Sequence, residues 1–167
     1  MKDNGGKVRV VYKNMVVHPR VVMKAHLAGC AASKQGKFLE FKHDWWEKAY
    51  LPYQQAHDPS KLGDESITLI AQDLKLNMDK FKQDMESPEC QQRVSGDQAE
   101  LNKFHVNATP WFFVNGHVIS GAVDKDVFQR AIDDQLKVVQ GSGVPCGEYY
   151  QKKVMGEGEK QFKASDG

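Results

Sequence analysis

The chain has 167 residues, 40% of them apolar and 27% charged, which is the composition of a soluble globular protein and a length that suits one domain with a substantial core. Its 23 Lys and Arg nearly cancel 22 Asp and Glu, so neither nucleic acid nor an anionic membrane is expected as a main partner. No apolar stretch approaches the roughly 20 residues that span a bilayer, and the opening MKDNGGKVRV lacks a signal-peptide apolar core, so a cytosolic chain is the default expectation.

In chain order, KVRVVYK (Lys7 to Lys13) is dense in valine and reads as a buried strand. Asn14 to Arg20, with His18-Pro19, breaks the pattern. Val21 to Ser33, rich in alanine with leucine and methionine, favours helix. Beyond Gly36, Phe38, Phe41, Trp45 and Trp46 recur at helical intervals and predict a second helix with an aromatic face. Trp45 and Trp46 are adjacent and cannot both face inward, which leaves one as an exposed contact. Leu51 to Asp64, rich in Pro, Gln, His, Asp and Gly, reads as a surface loop.

Ser66 is placed to cap a helix running through Lys75, with Ile67, Ile70, Ala71 and Leu74 on one face. Asn77 or Asp79 starts a short helix with Met78, Phe81 and Met85 inward. Ser87-Pro88 is a cap followed by proline at the first helical position, predicting a helix from Glu89 to Phe104.

The period then changes. Trp111 to Val114 and His117 to Ser120 flank Asn115-Gly116, a strong signal for a two-residue hairpin. Proline cannot donate to a β-ladder, so Thr109-Pro110 belongs at a strand start or in a turn, with a cis or a trans bond. Asp124 caps a further helix, Val123 and Phe128 form a staple, and Val127, Ala131, Ile132, Leu136 and Val139 continue a buried stripe until Gly141 and Gly143. Val144 to Met155 adds a last short helix, and 156–167 is charged and frays.

Cys30, Cys90 and Cys146 form no CxxC and no short metal knuckle, and read first as small buried or incidental residues. An odd count leaves at least one thiol free within a single chain. The six histidines, His18, His26, His43, His57, His105 and His117, show no metal-ligand spacing, and no metal or cofactor is expected. There is no GxSxG, P-loop or HExxH.

Four stretches, in this order, resemble the DsbA-like branch of the thioredoxin superfamily: GKVRVVYKN with the following HP, AASKQGKFLEFKHDWWE, KFHVNATP, and PWFFVNGHVISGAVDKDVFQRAID. The similarity covers roughly 6–140. It implies an α/β thioredoxin-like fold with an inserted helical domain, in which 1–20 and 105–141 are the thioredoxin-like part, 21–104 the helical insertion and 142–167 an extension. It also implies a cis-proline loop at Thr109-Pro110 whose exposed backbone pairs with an extended, cysteine-containing polypeptide, with Trp111 beside it. Members usually work in a periplasmic or extracytoplasmic compartment.

The family sets a strand and a CxxC-bearing helix ahead of the strand that matches KVRVVYK. Six residues before Lys7 leave no room for them, so the N-terminal βα unit is expected to be missing and the chain to be redox-inactive as it stands. Cys30 lies in the alanine-rich helix, where packing is the expected role. Cys90 is the candidate redox thiol, since Ser87 as cap would put it near the third position of its helix, where the dipole lowers a thiol pKa while Glu86 and Glu89 oppose that. Cys146 follows Pro145 at a helix start outside the matched region. Two apolar strands facing a gap would close up, recruit another chain, or belong to a longer protein; a homodimer through the strand Lys7 to Lys13 is one such assembly. The other reading is a peptide-binding or oligomerising module without chemistry.

Overall fold

The computed structural model describes residues 5–17 and 19–163; His18 and the side chains of residues 19–21 lie outside that description. Among the described residues the order is α1 (Pro19–Lys34), α2 (Phe38–Trp45), α3 (Leu51–Ala56), α4 (Asp64–Asp73), α5 (Met78–Glu86), α6 (Pro88–Lys103), β1 (Trp111–Val114), β2 (His117–Ser120), α7 (Lys125–Gly141) and α8 (Cys146–Tyr149). A wide π-helical turn, Trp46–Tyr50, joins α2 to α3, a tight 3-10 turn, Pro59–Leu62, precedes α4, and a second π-helical stretch, Tyr150–Glu157, follows α8. The chain divides into two compact units, Lys13–Glu100, and Met1–Tyr12 with Leu101–Gly167.

The helical unit is built on the small residues of α1. Ala28, Ala31 and Ala32 are fully buried, and their lack of bulk lets α2, α4 and α5 approach closely. Phe41, Ile67, Ile70 and Phe81 fill the space against them. The Phe41 and Phe81 rings lie 6.1 Å apart, and Phe41 stacks on Trp45 at 6.5 Å. Trp45 therefore joins the core while Trp46 stays 49% exposed, stacked on Tyr50 at 4.7 Å. Lys42, His43, Trp45 and Trp46 line an open cleft of about 470 Å³ beside that stack.

Helix ends explain several boundaries. Asn77 caps α5, its side chain accepting from the Lys80 N–H at 2.9 Å. After α4, Lys75 takes the left-handed conformation, its N–H bonding to the Gln72 carbonyl while the Leu76 N–H bonds to that of Ala71. That is a Schellman stop, sealed by burial of both Ala71 and Leu76. Gly36 ends α1 in the same way, with the Lys37 N–H reaching the Ala32 carbonyl.

Four expectations are corrected. Residues 51–64 are not a loop: Pro52 fits the first turn of α3, and Leu62 is drawn into the core at 3% exposure. Ser66 does not cap α4, which starts two residues earlier with Gly63 in the cap position. Asp124 makes no side-chain cap bond to α7, although the Val127 N–H bonds to its carbonyl, and the apolar stripe of α7 is half-buried with no fully buried residue. Lys7 to Lys13 forms no strand, because the ladder among the described residues contains β1 and β2 alone and offers that segment no pairing.

Within the helical unit the segment after Tyr12 is tied to α6 by polar contacts. Asp97 accepts from the Asn14 backbone N–H at 2.9 Å and from its side-chain amide at 2.7 Å, with Lys13 Nζ at 3.1 Å. Gln98 Oε1 accepts from the Val16 N–H, and His26 Nδ1 lies 3.1 Å from Asn14 Oδ1. Between α5 and α1, Asp84 is held by Lys80 at 2.6 Å and Lys34 at 2.9 Å, which keep its carboxyl below the ordinary carboxylate value.

In the other unit, β1 and β2 pair antiparallel from Trp111↔Ser120 to Val114↔His117. The two-residue turn has positive φ at both Asn115 (48°) and Gly116 (98°), as a hairpin of right-handed twist demands. Successive side chains alternate faces, so Phe112 meets Phe128 of α7 edge-on at 4.7 Å while Phe113 meets Phe104 at 5.6 Å.

Two tests follow from this packing. Lys75→Gly should raise stability by about 0.5 kcal/mol in chemical denaturation, because glycine removes the left-handed strain and returns part of that as unfolded-state entropy. Burial lowers the pKa of His26 below its ordinary 6.5 against the pull of Asp97. The unfolded chain then takes up the proton at higher pH than the folded one, so stability is full above pH 6.5 and declines as pH falls below it. Melting curves from pH 7 to 5 should show that decline, and His26→Gln should remove its His26 part.

Candidate functional site

The candidate site is the loop that runs from the end of α6 into the hairpin. Leu101 begins its anchor. His105 adopts φ +56°, its N–H bonds to the Asn102 carbonyl, and the Val106 N–H bonds to that of Leu101. This third Schellman stop is sealed by burial of Leu101 and Val106, so the chain leaves the helix in a fixed direction. The His105 ring lies 4.9 Å from Phe162, whose N–H donates to the Lys103 carbonyl at 2.8 Å.

From Asn107 to Pro110 the chain is exposed, and the Thr109-Pro110 peptide is cis. The far end is fixed by the Gly121 N–H, which donates to the Pro110 carbonyl at 2.9 Å and closes the open end of the hairpin. Among the described residues no backbone hydrogen bond engages Thr109, and its preceding and following groups lie at the surface. Trp111, the first residue of β1, is half-buried. Its indole N–H is shielded from solvent and has no acceptor among the described residues. An unpaired buried donor costs about 1–3 kcal/mol, so this one stands out beside an exposed loop.

A family model described as thioredoxin matches residues 2–134. The chain belongs to the thioredoxin family. Its α/β thioredoxin-like fold carries a helical insertion, which accounts for a mostly helical chain with a small antiparallel sheet. A probable disulfide bond formation protein D of Bacillus cereus is 25% identical over 136 residues, which are 79% of this chain and 60% of that protein. Disulfide bond formation protein D of Bacillus subtilis is 26% identical over 134 residues, 79% of this chain and 59% of that protein. A Na(+)/H(+) antiporter NhaA of Herminiimonas arsenicoxydans is 27% identical over 141 residues, 84% of this chain and 21% of the antiporter. The chain thus spans about three fifths of the two disulfide-formation relatives and a fifth of the antiporter. No solved structure matches it. Among the described residues no helix is long and apolar enough to cross a membrane.

Thr109, Pro110 and Trp111 are therefore contiguous on one loop of a thioredoxin-family chain. Cys90 is elsewhere, in the helical unit, where Ser87 Oγ accepts from its backbone N–H at 3.3 Å at the start of α6. It is fully buried and disulfide-bonded to Cys30, so a redox role for its thiol requires that bond to open. Sequence reasoning missed this pairing, because a sequence separation of 60 carries no spacing signal. It missed equally the stops at Lys75 and His105, where an ordinary side chain stands in the position glycine usually fills. Cys146 is a free, exposed thiol.

Gly121 has φ +83° and supplies the N–H that closes the loop, so Gly121→Ala should cost about 1–2 kcal/mol and lower the melting temperature.

Proposed function

We propose that this chain is the polypeptide-binding portion of a protein thiol-disulfide oxidoreductase, with Thr109, Pro110 and Trp111 receiving an extended segment of a cysteine-containing protein. The observation that carries this reading is an exposed Thr109 whose backbone groups make no backbone hydrogen bond among the described residues, next to the shielded, unpaired Trp111 N–H. Proline has no N–H, so a strand laid along the loop would pair with the backbone of Thr109, and an acceptor on the incoming chain would satisfy the indole. Relatives named for disulfide bond formation supply the class of client. Exchange itself needs an accessible thiolate and a resolving thiol close by, and this sequence contains no CxxC. The chain alone therefore binds without turning over.

The second reading is a binding or oligomerising module whose task ends at that loop, with dimers formed through Lys7 to Lys13. It is favoured by the exposure of Val10, Val11 and Tyr12, each close to half accessible.

Insulin reduction by dithiothreitol, run with the full chain, should proceed at the uncatalysed rate. Reduced, unfolded polypeptide should nevertheless bind in fluorescence titrations, and Thr109→Pro, which deletes the N–H offered to a strand, should weaken binding about tenfold. Catalysis abolished by Cys90→Ser would move the chemistry onto this chain. Equal binding by parent and Thr109→Pro would remove the loop from the client site, and a dimeric mass by light scattering would favour the second reading.

A further inference from the structure

We propose that the Cys30–Cys90 disulfide is a sealed structural lock, formed once by a thiol oxidant and closed to exchange thereafter, so that the helical unit is made for a compartment in which thiols are oxidised. The bond joins α1 to the first turn of α6 across a sequence separation of 60, with Cα atoms 5.7 Å apart, a separation two unbridged helices would have to reach by packing alone. Both cysteines are buried, Cys30 at 5% exposure and Cys90 at 0%. Attack on a disulfide requires a thiolate to reach one sulfur, and burial denies that approach. Polar contacts close the same junction from outside: Ser87 caps α6 at Cys90, and Lys34, one turn beyond Cys30, bridges Asp84 at 2.9 Å and Glu89 at 2.6 Å. Cys146, exposed and unpaired, shows by contrast what an accessible thiol of this chain looks like.

In forming the lock, the two thiols lose two protons and two electrons and gain one Sγ–Sγ bond. The electrons pass through a mixed disulfide to a disulfide-bearing oxidant, which leaves as a dithiol. Such bonds persist in oxidising compartments and are rare where thiols are kept reduced. The lock does not depend on the reading of the Thr109-Pro110 loop.

The test counts thiols by mass after maleimide labelling of the full chain purified from an oxidising host compartment. The expected result is one adduct, at Cys146, and still one after native treatment with dithiothreitol for a time that fully reduces a peptide disulfide. Three adducts should appear when the same reductant is given with denaturant. The double variant Cys30→Ala/Cys90→Ala should melt about 10 °C or more below the parent, since closing a long loop restricts the unfolded chain. Three adducts without any reductant, or three under native reduction at the peptide rate, would overturn the lock, as would an unchanged melting temperature. The labelling counts use the parent alone, and so decide the matter even where the double variant does not fold.

Discussion

The contact between the alanine face of α1 and the aromatic and aliphatic residues of α5, α2 and α4 is the constraint on which the helical unit rests. Ala28, Ala31 and Ala32 expose nothing, and Phe41, Ile70 and Phe81 occupy the room they leave. Truncating a ring as buried as Phe81 in such a core costs about 3–5 kcal/mol. Once α5 is seated there, other pairings follow from helical geometry. Cys30 and Lys34 stand one turn apart on α1, so the packing that brings Asp84 to Lys34 also presents Cys30 to the start of α6. Apolar packing, ion pairs and the covalent bond act at one seam.

The unit that holds the hairpin is organised by a different balance. Its phenylalanines meet in pairs, Phe112 with Phe128 and Phe113 with Phe104, and Phe112 and Phe113 remain partly open to solvent. Arg9 lies over the Tyr150 ring at 4.6 Å, a cation-π contact. Precision there comes from backbone hydrogen bonds, the helix stop at His105 and the Pro110–Gly121 closure, which hold the loop while leaving its surface uncovered. The loop thus combines a fixed frame with exposed backbone groups.

Much of the helical pattern was legible because local chemistry and tertiary packing agree. Asn115-Gly116 sets the hairpin, Ser87-Pro88 the start of α6, and the spacing of Phe41 and Trp45 the inward face of α2. The failures occur where a distant partner decides. Leu62 turns a polar stretch into core, Val10 and Val11 look like a strand but have no ladder to join among the described residues, and the α7 stripe is apolar without deep burial. For the site, Thr109, Pro110 and Trp111 could be named from a proline before an aromatic run and a family resemblance. The unpaired indole N–H and the pairing of Cys30 with Cys90 could not, because both are properties of what surrounds a residue rather than of its neighbours in sequence.

The separation of the two bonded cysteines also orders events during synthesis. Cys30 leaves the ribosome 60 residues ahead of Cys90, so α1 through α5 are complete in sequence before the second sulfur exists. In that interval Cys30 has neither Cys90 nor Cys146 to pair with. Cys146 is made 56 residues after Cys90, when Cys30 and Cys90 are already both present. Among these three cysteines, the order along the chain thus favours the Cys30–Cys90 pairing over the two that involve Cys146 before thermodynamics has to choose.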